Sequence, residues 1–130
     1  IGIERAKYLY PIGTLLRSGA RVAFGSDWYV TSANPLLGIE AAITRLEPYG
    51  ATDQPLGNDE EITLAEAIAA YTIGGAYVNF LDKTTGSLEV GKQADLIVLD
   101  QNLFEIPASE ISDTDVVATI FQGMLVAGEL

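Results

Sequence analysis

Few residues of this sequence are suited to bond-making chemistry, and Asp27 stands first among them. It closes the run Arg21-Val22-Ala23-Phe24-Gly25-Ser26-Asp27, where a short apolar stretch ends in two polar residues. A carboxylate in that place is a hard oxygen ligand for a divalent cation. It can also take a proton from a group within hydrogen-bond reach. The plainer alternative, a turn or helix cap after a strand, is the one that spacing alone favours. Ser26, Trp28 and Tyr29 flank the carboxylate and could line a substrate pocket. For Trp28, packing against its own loop is the commoner use of so large a side chain. There is no histidine and no cysteine. The commonest general base and metal ligand is therefore missing, as are thiol nucleophiles, disulfides and Cys-type zinc sites.

Other motifs carry less chemistry. Gly74-Gly75 lacks the spacing and the lysine of a phosphate-binding loop and reads as close helix packing. Lys92 and Asp95, in Gly91-Lys92-Gln93-Ala94-Asp95, read as structural, a turn into a strand with a charged pair. The acidic cluster Asn58-Asp59-Glu60-Glu61 lacks the alternating pattern of a calcium loop and reads as a solvated loop before a helix.

The elements around these residues fall into two styles. Glu4 to Tyr10 is helix-like and stops at Pro11; Ile12, Leu15 and Leu16 continue a helical stripe, and Ser18-Gly19 supplies a stop. Arg21 to Gly25 reads as a strand buried on both faces, as in parallel sheets. Asn34 and Pro35 make an N-cap and first helical residue, with Leu36, Ile39, Ile43 and Leu46 on one face. Pro48, Gly50, Pro55 and Gly57 mark a long irregular loop. Thr63-Leu64-Ala65-Glu66 fits a capping box, with a helix to about Tyr71. Thr72 is placed to cap another helix reaching Phe80. After Gly86 the character turns to β, with strands over 94–99 and 116–121 and a hairpin turn at Gln122-Gly123 into 124–126.

Composition narrows the function classes. Hydrophobic residues make up 48% and charged residues 19% of the 130, a globular balance. The formal charge of −11 repels phosphate backbones and anionic lipid, so nucleic-acid and membrane-surface roles are disfavoured. No apolar run reaches membrane-spanning length. The chain opens Ile1-Gly2-Ile3 and its only methionine is Met124, which reads as a segment of something longer. Localisation is not fixed; the cytoplasm is favoured.

Three stretches, in this order, resemble the amidohydrolase superfamily. They are Val22-Ala23-Phe24-Gly25-Ser26-Asp27; Thr63-Leu64-Ala65-Glu66-Ala67-Ile68 running on to Thr72; and Gly86-Ser87-Leu88-Glu89-Val90-Gly91-Lys92-Gln93-Ala94-Asp95-Leu96-Ile97-Val98-Leu99-Asp100. Gly25-Ser26-Asp27-Trp28, Asn34-Pro35-Leu36-Leu37-Gly38 and Tyr71-Thr72-Ile73-Gly74-Gly75-Ala76 resemble its YtcJ-like, or "amidohydrolase 3", branch. The resemblance runs along essentially the whole chain but matches only the C-terminal portion of such an enzyme. It implies an α/β fold: the last part of a (β/α)8 TIM-type barrel over 1–80, and closing strands of a small β-sandwich domain over 81–130.

The same resemblance implies a metal-dependent hydrolase of amide-type C–N bonds, with zinc the favoured metal. In the family a His-x-His pair, a midway lysine or glutamate and two later histidines supply most ligands, and those histidines are absent here. The aspartate matching Asp27 binds the metal and takes a proton from the attacking water. A catalytic zinc usually needs about three protein ligands, so the isolated chain is expected to be inactive. A partner chain supplying the rest of the barrel is one expectation. The competing one is a non-catalytic, self-associating module with Val22 to Phe24 among its buried contacts, because an unpaired strand exposes backbone and apolar faces. The end of a cyclic amidohydrolase, dihydroorotase-like or imidazolonepropionase-like, fits residues 25–38 less well.

Overall fold

The structure, a computed structural model, describes residues 2–48, 50, 52–57 and 59–129. Ile1 and Asn58, each part of a motif above, lie outside the described residues. Helix α1 spans Ile3–Ala6, shorter than the expected 4–10. The chain continues in i→i+3 turns, with Tyr8 donating to the Arg5 carbonyl and Leu9 to that of Ala6. Tyr10 then adopts φ 50°. It precedes Pro11, whose ring crowds a helical conformation at the residue before it.

Helix α2 (Ile12–Arg17) has no cap from its own N-cap residue, Pro11. Glu60 takes that role from a distant loop: its carboxylate accepts the Thr14 amide at 2.7 Å and the Thr14 hydroxyl at 2.5 Å. A negative group there satisfies an orphan amide and meets the positive end of the helix. Helix α3 (Pro35–Thr44) starts as expected, with the Asn34 side chain accepting the Leu36 amide and Pro35 in the first turn. It ends at Arg45, which is left-handed at φ 57°, so Leu46 lies past the helix.

The capping box is present at α4 (Leu64–Ala69), with Thr63 and Glu66 each capping the other's amide. The expected break at Thr72 is absent. The helix instead widens into a π turn, Ala70–Gly74, and continues as α5 (Gly75–Val78). The Thr72 hydroxyl donates back to the Ile68 carbonyl at 2.7 Å, which serves a continuing helix rather than a new start.

Strands β1 (Leu96–Leu99), β2 (Val116–Phe121) and β3 (Met124–Gly128) form one antiparallel sheet in the order β1-β2-β3. The hairpin turn at Gln122-Gly123 has φ 51° and 79°, the paired positive values that match strand twist in a tight hairpin. A 3-10 helix, Ala108–Asp113, precedes β2 and went unforeseen. Its Ile111, 1% exposed, packs with Leu36, Ile39, Ala42, Ile62, Ala67 and Leu103. Glu40 of α3 is buried and accepts the Ser112 amide at 2.8 Å. The core thus draws on residues from both sides of position 80. The fold is a small α/β unit; among the described residues no helix is long and apolar enough to cross a membrane.

The Thr14 hydrogen bonds, first from the hydroxyl and then from the amide, hold the Glu60 carboxyl below its ordinary range, with help from Arg17 and Arg45. A carboxylate depressed on folding stabilises the fold above its unfolded value of 4.5, and that stabilisation is lost as pH falls through the folded value. The thermal midpoint of the native chain is therefore expected to fall on acidification below that value. The fall should be smaller in Glu60→Gln, which also starts less stable at neutral pH; Glu66 and Glu89, likewise depressed, still titrate in the variant. Equal acid sensitivity of the two proteins, by circular dichroism melts, would remove Glu60 from this role.

Candidate functional site

Residues 21–26 form no ladder with any strand among the described residues. The expected strand buried on both faces is thus corrected: Val22, Ala23 and Phe24 are only half-buried. The reason is the neighbour. The Phe24 amide donates to the Ala70 carbonyl at 3.0 Å, so the segment lies against a helix, where no second strand can extend the pairing.

Past Gly25 the chain turns. The Val30 amide donates to the Asp27 carbonyl at 2.7 Å, and the Thr31 hydroxyl donates to the Ser26 carbonyl. Asp27 takes φ 50°, a left-handed conformation that aspartate tolerates better than most residues. Its side chain is exposed, and Ser26 is half-buried. Trp28 and Tyr29 are 71% and 85% exposed, which corrects the loop-packing reading of Trp28: the loop is too short and outward-facing to cover an indole. The structure brings these residues together as one exposed turn without assembling them around a pocket.

Several clefts open among the described residues. One of about 310 Å³ reaches Phe24 and Gly25 between Tyr10, Arg45 and Tyr71. Burial raises the Tyr71 hydroxyl above its ordinary range. A larger one, about 670 Å³, lies between the α4–α5 helix and β1. Several of its polar side chains are already engaged with the fold. Asn79 donates to the Gly75 carbonyl and Thr85 to Asp95, whose other oxygen accepts the Gln122 amide.

The structural reading of Lys92 and Asp95 holds, with a changed partner. Lys92 lies 3.3 Å from Glu89 and donates to Ser87 at 2.6 Å; it does not pair with Asp95. Arg45 was missed in the sequence. Its buried guanidinium donates to the carbonyls of Leu56 and Leu9 at 2.9 and 3.0 Å, tying two loops to α3. The only local signal was a cation at a helix C-terminus, which does not disclose distant partners.

Among the described residues no cluster of His, Cys, Asp or Glu side chains could hold a metal ion. Asp27 stands as a lone exposed carboxylate, outside any such cluster among the described residues.

A model of the amidohydrolase family matches residues 1–127. The protein LONG AFTER FAR-RED 3 of Arabidopsis thaliana is 38% identical over 124 residues, 95% of this chain and 21% of its own length. N-substituted formamide deformylase of Arthrobacter pascens is 33% identical over 117 residues, 90% of this chain and 21% of its own. Putative amidohydrolase YtcJ of Bacillus subtilis (strain 168) is 29% identical over 126 residues, 97% of this chain and 24% of its own. In three dimensions, an amidohydrolase from Thermotoga maritima MSB8 superposes with a TM-score of 0.64 at 23% identity, covering 91% of this chain and 26% of that one. This chain therefore spans between a fifth and a quarter of the length of these relatives, and it belongs to the amidohydrolase family.

Proposed function

We propose that this chain is the C-terminal portion of a metal-dependent amidohydrolase that hydrolyses amide-type C–N bonds of a small molecule. In this reading residues 1–80 are the last strand and helices of a (β/α)8 barrel, and residues 81–130 the closing strands of a small β domain. The observation that carries it is the family match along residues 1–127, with Asp27 standing free at the end of the segment that would be the eighth strand. Active sites of such barrels gather at the C-terminal ends of the strands. Asp27 is then the residue that takes a proton from the attacking water and offers one ligand oxygen. The remaining ligands of the zinc, or other divalent ion, come from outside the described residues. Ser26, Trp28 and Tyr29 line the substrate side. The chain alone is inactive.

The test is a hybrid in which this chain replaces the corresponding segment of the Arthrobacter pascens deformylase, to which it is 33% identical. Deformylation by the hybrid should fall at least ~100-fold in Asp27→Asn, the low end of what a proton-transfer group contributes. A hybrid carrying Asp27→Asn that is as active as its parent would sink the assignment.

A second reading, self-association, is favoured by exposed apolar surface. Met124, Leu125 and Val126 of the edge strand β3 are exposed, as are Phe80, Leu88 and Val90. Open edges and apolar faces of this kind invite pairing with another chain. Sedimentation of the isolated chain should show a mass that rises with concentration. A stable monomer at high concentration would contradict it.

A further inference from the structure

We propose that Gly74 and Tyr71, on the π turn Ala70–Gly74, are positioning residues for Asp27. The proposal rests on the reading of Asp27 given above. Residues 21–24 run along one face of the α4–α5 helix in the opposite direction. The Arg21 guanidinium lies 4.1 Å from the centre of the Tyr77 ring. Val22 and Ala23 meet Gly74. The Phe24 amide reaches the Ala70 carbonyl at 3.0 Å, and the Phe24 ring meets Tyr71 edge-on at 5.4 Å and 73°. From Tyr77 back to Ala70 the helix advances about 10 Å, and three extended residues advance about as far. The two backbones therefore stay in step over the whole contact.

The approach depends on Gly74. A Cβ built there would stand closer to the Val22 carbonyl oxygen than any real Cβ comes, and 3.4 Å from the Ala23 Cα. The obstacle is backbone, which cannot swing aside. The π turn replaces i→i+4 bonds with i→i+5 ones, a rare device that recurs at functional sites, and the carbonyl of Ala70 in this turn accepts from outside the helix. Beyond Phe24 the anchoring stops. A Cβ on Gly25 would touch nothing within 4 Å, and the turn carrying Asp27 is held by its own hydrogen bonds and stands in solvent. On its upstream side the turn is thus fixed by the helix contact three residues before Asp27, and on its downstream side the chain is next held at Asn34 and the buried Leu36 of α3.

Gly75 supplies the control. It is also helical, and a Cβ there meets nothing within 4 Å. Gly74→Ala and Gly75→Ala carry the same gain in helix propensity, and differ in whether they displace Val22. The readouts, on the full chain by NMR, are amide exchange at Phe24 and the resonances of Ser26 to Thr31 with the Trp28 indole. Gly75→Ala should leave both as in the native chain. Gly74→Ala should cost Phe24 about tenfold or more of its exchange protection and move the 26–31 resonances, while amides of α3 keep theirs. Unchanged resonances in Gly74→Ala, or the same change in both variants, would overturn the proposal. Should Gly74→Ala fail to fold, Tyr71→Leu serves. It should move the same resonances where Tyr71→Phe does not, and silence in Tyr71→Leu would overturn the proposal equally. None of these readouts involves hydrolysis, so an idle Asp27 would be exposed by the hybrid enzyme and leave them untouched.

Discussion

A backbone segment outside helix and sheet still has amides and carbonyls that need partners, and the packing of Arg21–Phe24 on the α4–α5 helix answers that need. The Phe24 amide goes to a helical carbonyl, since no strand among the described residues is beside it. This only works if two backbones come close, and that closeness requires a residue without a side chain at Gly74. The chain enters the Asp27 turn from that contact and leaves it into α3, whose start is set by the Asn34 cap and whose buried face packs in the core.

Around this contact, long-range polar ties do much of the work that neighbouring strands do elsewhere. Glu60 caps α2 from a loop, Glu40 meets the 3-10 helix beneath α3, and Arg45 binds two loop carbonyls. Each is a largely buried side chain with its charge met by hydrogen bonds, the condition under which burial of a charged group is tolerable. The apolar core is modest, and many large apolar residues remain outside it. That imbalance is what a portion of a larger fold would present, and equally what a self-associating module would.

Much of this was legible in the sequence, unevenly. Local chemistry was readable: the Asn34-Pro35 start, the Thr63–Glu66 capping box, strand β2 and the Gln122-Gly123 turn each depend on a few adjacent residues. The family was readable because long motifs survive in order. What was not readable depends on partners far along the chain. The run Arg21–Gly25 has a strand's composition, but strandhood is a property of neighbours. The π turn has no composition cue, and Thr72 suits a cap as well as it suits back-bonding to Ile68. Glu60 looked like one more acidic residue in a solvated loop until Thr14 lay beside it. At the candidate site, Ser26, Asp27, Trp28 and Tyr29 share one turn because they are adjacent in the chain, whereas the exposure of Trp28 depends on what lies around the turn and was not foreseeable.

The chemistry proposed for Asp27 needs ligands that the described residues do not contain, and a lone carboxylate falls short of the roughly three protein ligands a catalytic zinc takes. The most direct test is the zinc content of the isolated chain after equilibration with the ion and exhaustive dialysis. The account predicts no stoichiometric zinc and no difference between the native chain and Asp27→Asn. One zinc retained per native chain, and lost in Asp27→Asn, would contradict it, because this chain would then hold a complete metal site of its own.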